Sequence, residues 1–78
     1  MTIDEFLEKV ETELDDMEPK PGKLQPSNKI REIVGWSSMH ALILIALIDT
    51  EYNVIVSGED LRNCDTLEDI FNLIQSRK

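Results

Sequence analysis

Two adjacent serines are the residues best placed to do chemistry in this chain of 78 residues. Ser37 and Ser38 directly precede a nearly apolar run, residues 39–48, whose length favours a helix over a strand. A serine hydroxyl at the start of a helix is exposed, and the unpaired amides and the helix dipole there favour an attached phosphodiester. The pair is therefore a candidate modification site, and either serine could equally be a plain helix cap.

Other reactive side chains are few. His40 is the only histidine and has no ligand at metal-binding spacing, so we expect it to face solvent in the first helical turn. Cys64, the only cysteine, is expected in the core, and Trp36 is expected to anchor the preceding loop. The sequence offers no evident pair of nucleophile and base and too little bulk to enclose a substrate, so it predicts a protein that is not an enzyme. Neither a calcium loop nor a glycine-rich phosphate loop is present.

Length and charge restrict the classes of partner. The 78 residues predict a single domain, residues 1–78. A net charge of -8, from 16 acidic and 8 basic side chains, opposes binding to nucleic acid or anionic lipid and favours basic partners. The N-terminus lacks the pattern of a signal peptide, and residues 41–48 are too few to span a bilayer, which takes about 20. We expect a cytoplasmic monomer with no membrane span.

The first half of the chain predicts one helix and a long loop. Thr2 and Glu5 have the form of a capping box. An apolar stripe follows at helical spacing: Ile3, Phe6, Leu7, Val10, Leu14 and Met17. Pro19 and Pro21 should end this helix. Apolar residues then interrupt the polar loop at Leu24, Ile30 and Ile33, so we expect the loop to be pinned across the bundle.

The second half predicts three more helices. Residues 39–48 form the first, although their β-branched side chains leave a buried strand as the alternative. Residues 52–56 have extended propensity. Cap signals at Ser57 with Asp60, and at Asp65 with Glu68, predict a short helix over 59–63 and a longer one over 66–76. The predicted fold is all-α, a small bundle of three longer helices and one short helix, with a long loop between helices one and two.

The segment Gly35-Trp36-Ser37-Ser38-Met39 resembles the modification motif of the acyl carrier protein family. That motif is Asp-Ser-Leu, and in stand-alone members it often reads Gly-Trp-Asp-Ser-Leu or Gly-Trp-Asp-Ser-Met. The resemblance extends to residues 24–33, 51–56, 60–61 and 65–67, and so covers most of the chain. It implies that Ser38 carries 4'-phosphopantetheine, transferred from coenzyme A by a phosphopantetheinyl transferase. Acyl intermediates would then travel as thioesters between the enzymes of fatty acid, polyketide or related biosynthesis.

The resemblance also implies partner contacts on helices two and three, at Ser37, Met39, Ile43, Glu51, Glu59 and Asp60. The partners would be acyl-loading and acyl-processing enzymes with basic patches. Two positions depart from the family. Ser37 replaces the acidic residue that helps the transferase recognise the carrier, and Ile43 replaces a carboxylate on helix two. The change at Ile43 is consistent with a specialised pathway, whereas the change at Ser37 leaves slower modification, a dedicated transferase or no modification open.

Two alternatives remain open at this stage. The first is an aminoacyl or peptidyl carrier of a non-ribosomal pathway, although such carriers usually have paired glycines before the modified serine. The second is an unmodified acidic helical protein that binds one partner. The absence of the acidic residue at Ser37 keeps this second alternative in play.

Overall fold

The computed structural model describes residues 2–15, 22–33 and 35–78. It contains four α-helices, α1 (Ile3–Leu14), α2 (Ser38–Tyr52), α3 (Gly58–Arg62) and α4 (Leu67–Arg77), and one 3-10 turn, Ile30–Glu32. No strand occurs in these ranges. The predicted all-α bundle is therefore confirmed, and the alternative of a buried strand in residues 39–48 is wrong.

Helix α1 begins as the sequence predicts. Thr2 is its N-cap, and the Thr2 hydroxyl accepts a hydrogen bond from the Glu5 amide at 3.3 Å. The apolar stripe is buried at Phe6, Leu7, Val10 and Leu14. Met17, Pro19 and Pro21 lie outside the described residues. Burial of this stripe removes apolar area from water and fixes α1 against the other helices.

The loop before α2 is pinned, as predicted. Leu24, Ile30 and Ile33 are buried. The Ile30 amide donates to the Asp65 carbonyl at 2.8 Å, and the Leu67 amide donates to the Asn28 carbonyl at 3.1 Å. These bonds attach the loop to the junction between α3 and α4. The junction therefore holds the chain that leads into α2.

The sequence predicts the cap of α3 correctly but places the cap of α4 one residue too early. Ser57 and Asp60 form the expected capping box, and α3 begins at Gly58. The cap of α4 is Thr66 paired with Asp69, so the predicted pairing of Asp65 with Glu68 is wrong. Thr66 has the extended backbone of an N-cap, and the Asp69 carboxylate accepts from both the Asp65 and Thr66 amides at 3.0 Å.

Aromatic side chains join α1, α2 and α4 at the centre of the core. The Phe6 ring is fully buried, and its centroid lies 6.1 Å from that of Tyr52 and 6.0 Å from that of Phe71. Tyr52 belongs to the end of α2, and Asn53, with a left-handed φ of 56°, terminates that helix. Of residues 52–56, for which the sequence favours an extended conformation, Tyr52 belongs to α2 and residues 53–56 form the loop to α3 without a strand.

The first three turns of α2 are apolar on every side. Leu44 and Ile48 are fully buried, whereas Met39 and Leu42 are 59% and 65% exposed. Within the described ranges, no helix combines the length and the apolar character needed to cross a membrane. The exposed side chains of Met39 and Leu42 form an apolar surface next to the two serines.

Candidate functional site

The turn that leads into α2 sets the position of the two serines. The Trp36 amide donates to the Ile33 carbonyl at 3.0 Å, and Gly35 has a φ of 75°. Residues with a β-carbon rarely adopt that conformation, which explains a glycine here. Ser37 is extended, with φ -147° and ψ 177°, and is the N-cap of α2. Ser38 is the first residue of the helix.

Ser38 offers an unengaged hydroxyl. Its side chain is exposed. Among the residues that the structure describes, no hydrogen bond involves its Oγ. A reagent or an enzyme can therefore reach this hydroxyl without first breaking an internal contact.

The start of α2 has no side-chain cap, unlike the starts of the other three α-helices. Thr2, Ser57 and Thr66 each accept a hydrogen bond from the amide three residues later. Ser37, the N-cap of α2, makes no such bond, and its Oγ lies instead 2.9 Å from Nδ1 of His40. The first bond of the helix runs from the Ala41 amide to the Ser37 carbonyl at 3.2 Å. The three preceding amides are left without an acceptor inside α2.

His40 is buried, so the prediction that it faces solvent is wrong. It is 3% exposed, and its ring centroid lies 5.5 Å from that of Trp36. In the described residues, Nε2 has no hydrogen-bond partner. The spacing gives the reason, because His40 precedes Leu44 and Ile48 by four and eight residues and so shares their buried face. Because the rest of residues 39–48 is apolar on every side, the sequence alone does not mark this face as the buried one.

Trp36 anchors the loop, as expected. It is partly buried against the core. With Ala41, Gly58 and Leu61, it lines a cleft of about 70 Å³ between the beginnings of α2 and α3. Arg31 and Arg62 also line this cleft. The cleft brings the first turn of α2 next to the first turn of α3.

The surface beside Ser38 is apolar. Met39 is exposed, as a partner contact must be, and Leu42, which sequence analysis did not single out, is the more exposed of the two at 65%. No Asp, Glu, Lys or Arg occurs in residues 38–48. The first three turns of α2 therefore present no charged group to a partner.

Two of the predicted partner contacts lie on a different side of α2. Ile43 is partly buried, and together with Glu13 and Glu51 it lines a groove of about 220 Å³ between α1 and α2. Glu51 is bonded to Lys9 at 2.7 Å, which raises the pKa of Lys9. At 1.5 Å per residue, Glu51 is about 20 Å along the helix from Ser38. Glu51 therefore lies at the opposite end of α2 from Ser38.

The predicted contacts on α3 are not equivalent. Asp60 is bonded to Arg77 at 2.8 and 2.9 Å, and it also accepts from the Ser57 amide at 2.8 Å. Arg77 first, and then that amide, hold the pKa of Asp60 well below its usual range. Glu59 is exposed, and no bond of its side chain to another described residue occurs. Glu59 is thus the carboxylate that can meet a basic partner without breaking an internal pair.

Cys64 lies in the core, as predicted. It is 8% exposed, and burial raises the pKa of its thiol. A raised pKa lowers the fraction of thiolate, the nucleophilic form. In the described part of the chain, no three His, Cys, Asp or Glu side chains come together as a metal site.

No protein-family model matches the sequence, and no curated protein matches it significantly. The likeness to acyl carrier proteins thus consists of the motif around Ser38 and its flanking segments, placed on a helical bundle of the expected kind.

Proposed function

We propose that this protein is an acyl carrier that holds 4'-phosphopantetheine on Ser38 and moves acyl intermediates between enzymes. The observation that carries the proposal is the exposed, unengaged Ser38 hydroxyl at the first position of α2. A carrier needs its attachment point in the open, because a transferase must reach it first and other enzymes must reach it afterwards. The attached 4'-phosphopantetheine would provide the thiol on which an acyl chain is held as a thioester.

The residues around Ser38 fit a phosphodiester. The amides of Ser38, Met39 and His40 have no acceptor inside α2, and the Ser37 side chain does not cover them. The positive end of the helix dipole adds to their attraction for a negative group. A phosphate on Ser38 Oγ would therefore lie at a helix end that favours negative charge.

The role of the protein around this hydroxyl is to position it. The transferase would activate the Ser38 hydroxyl, so the carrier needs no base for its own modification. The bond between Trp36 and Ile33, together with the buried face of α2, fixes the start of the helix to the bundle. The attached arm would then swing from a rigid point.

The exposed surface supports a partner patch that is mainly apolar. Met39 and Leu42 surround the serine with apolar area, and Glu59 on the neighbouring helix supplies an unpaired carboxylate. A partner enzyme would place apolar side chains on α2 and a basic one near Glu59. Such a contact depends less on salt than one made by rows of carboxylates.

One observation supports a second candidate, an unmodified acidic module that binds a single partner. Ser37 stands where an acidic residue is expected before the modified serine, and the Ser37 hydroxyl contacts His40. A transferase that reads a carboxylate at this place would find none. An aminoacyl or peptidyl cargo would use the same Ser38 chemistry and differs from the main proposal only in the partner enzymes.

The deciding experiment is intact mass spectrometry after incubation with coenzyme A, magnesium and a promiscuous phosphopantetheinyl transferase. We expect the mass of one phosphopantetheine to be added to the native sequence and none to Ser38→Ala. Ser76→Ala, which removes an exposed hydroxyl near the end of α4, is the matched control and should still gain the mass. A folded native sample that gains nothing with several transferases would favour the unmodified binding module.

A further inference from the structure

Ser37 and His40 form a hydroxyl–imidazole pair that the carrier function does not use. Ser37 is exposed, and its Oγ lies 2.9 Å from Nδ1 of His40. The imidazole ring is 3% exposed and is held beside the Trp36 ring. With its proton on Nε2, the ring accepts the Ser37 hydroxyl hydrogen through Nδ1. A serine activated by an adjacent base is the usual arrangement for a nucleophile.

Unpaired backbone donors belong to the same helical turn as the pair. The amides of Ser38 and Met39 directly follow Ser37 and have no acceptor inside α2. Backbone amides that are already oriented and unpaired stabilise the negative oxygen that forms when a hydroxyl attacks a carbonyl. The start of α2 therefore combines a nucleophile, a base and donors for the developing charge.

We propose that Ser37 accepts acyl groups from activated thioesters, with His40 as the general base. In this reaction, Ser37 Oγ attacks the carbonyl carbon, an oxygen–carbon bond forms, and the carbon–sulfur bond breaks. The hydroxyl proton passes to His40 Nδ1 and then to the departing sulfur. The products are a serine ester and a thiol, with no change of oxidation state.

The burial of His40 limits the rate. Among the described residues, Nε2 has no acceptor, so no neighbour stabilises the positive ring that forms after proton transfer. We therefore expect the base to accelerate the reaction by about 100-fold, the lower end of general-base catalysis. Ser37 is exposed, so a dissolved thioester can reach it. We expect Ser37 to be acylated slowly and once per molecule.

The test compares two serines of one molecule. The full-length protein, without any group on Ser38, is incubated with S-acetyl-N-acetylcysteamine, and acetylation is mapped by peptide mass spectrometry. Ser57 is the internal control, because it is also an exposed helix N-cap but its hydroxyl accepts from the Asp60 amide instead of contacting an imidazole. Ser37 should be acetylated about 100-fold faster than Ser57.

A variant separates the base from the helix end. His40→Gln, checked for folding by circular dichroism, should lower the rate at Ser37 to within a few-fold of the rate at Ser57. If that variant does not fold, the native protein is compared with itself in urea, where unfolding should remove the preference for Ser37. Equal rates at the two serines in the folded protein, or an unchanged rate in folded His40→Gln, would overturn the proposal. The assay uses no transferase, so its outcome is independent of modification at Ser38.

Discussion

Replacing Ser37 with aspartate should give α2 the side-chain cap that it lacks. Ser37 already has the extended backbone of an N-cap, but its hydroxyl is turned to His40. An aspartate at an N-cap accepts from the amides of the first turn, which contributes about 1 kcal/mol. Its charge at the positive end of the helix dipole adds about 0.5 kcal/mol.

The same substitution has a cost, because the hydrogen bond between Ser37 and His40 is lost. A neutral bond of this kind contributes about 0.5 to 1.5 kcal/mol. The free energy of unfolding of Ser37→Asp should therefore exceed that of the native protein by up to about 1 kcal/mol. With a denaturant slope of about 1 kcal/mol per molar urea for so small a domain, the urea midpoint should rise by up to about 1 M.

Urea titration followed by circular dichroism measures this shift, and Ser57→Asp is its matched control. Ser57 already caps α3 through its hydroxyl, and serine and aspartate are nearly equal as caps, so the control should change little. The reasoning is refuted if Ser37→Asp lowers the midpoint, or if the two variants shift it equally. Equal shifts would mean that the Ser37 hydroxyl does not leave the amides of α2 uncapped.

Three further predictions test the bundle. Phe6→Ala should lower the free energy of unfolding by about 3 to 5 kcal/mol, since Phe6 is fully buried, whereas Leu42→Ala should change it by less than about 0.5 kcal/mol in the same urea assay. Because Arg77 lowers the pKa of Asp60 in the folded state, this pair stabilises the fold above the unfolded pKa of about 3.9, and its contribution is lost as the pH falls through the folded value. Asp60→Asn should therefore show a weaker fall of the urea midpoint below about pH 4 than the native protein. Cys64 should react slowly with Ellman's reagent in the folded protein and rapidly in urea, and fast reaction in the folded protein would contradict its burial.

The helices could be predicted where local signals agree. Thr2, Ser57 and the stripe of α1 act within one or two turns, so sequence alone was enough to locate them. Helix α2 is different, because its own residues 39–48 are nearly all apolar and no periodicity indicates which face is buried. Its length predicted a helix, but the exposure of Leu42 and the burial of His40 depend on how the other helices pack against it.

The candidate site was predictable in part for the same reason. The exposed place of Ser38 at a helix start could be predicted from the motif and the run that follows it. The contact between Ser37 and His40 could not, since it requires the turn at Gly35 and the rotation of α2 about its axis. Glu51 lies far from Ser38 because a helix of 15 residues carries its two ends about 20 Å apart.

Ser37 connects the two proposals, and one variant separates them. As an aspartate it could serve as the acidic residue that the transferase reads, so modification of Ser38 should become faster. The same change removes the hydroxyl that would accept an acyl group, so transfer to position 37 should cease. A carrier that lacks the acyl-acceptor activity would be modified at Ser38 in both forms and acetylated at 37 in neither. An acyl acceptor that is not a carrier would be acetylated at Ser37 in the native form and modified at Ser38 in neither form. Measuring modification of Ser38 and acetylation of Ser37 in the native protein and in Ser37→Asp therefore assigns each activity to its own serine.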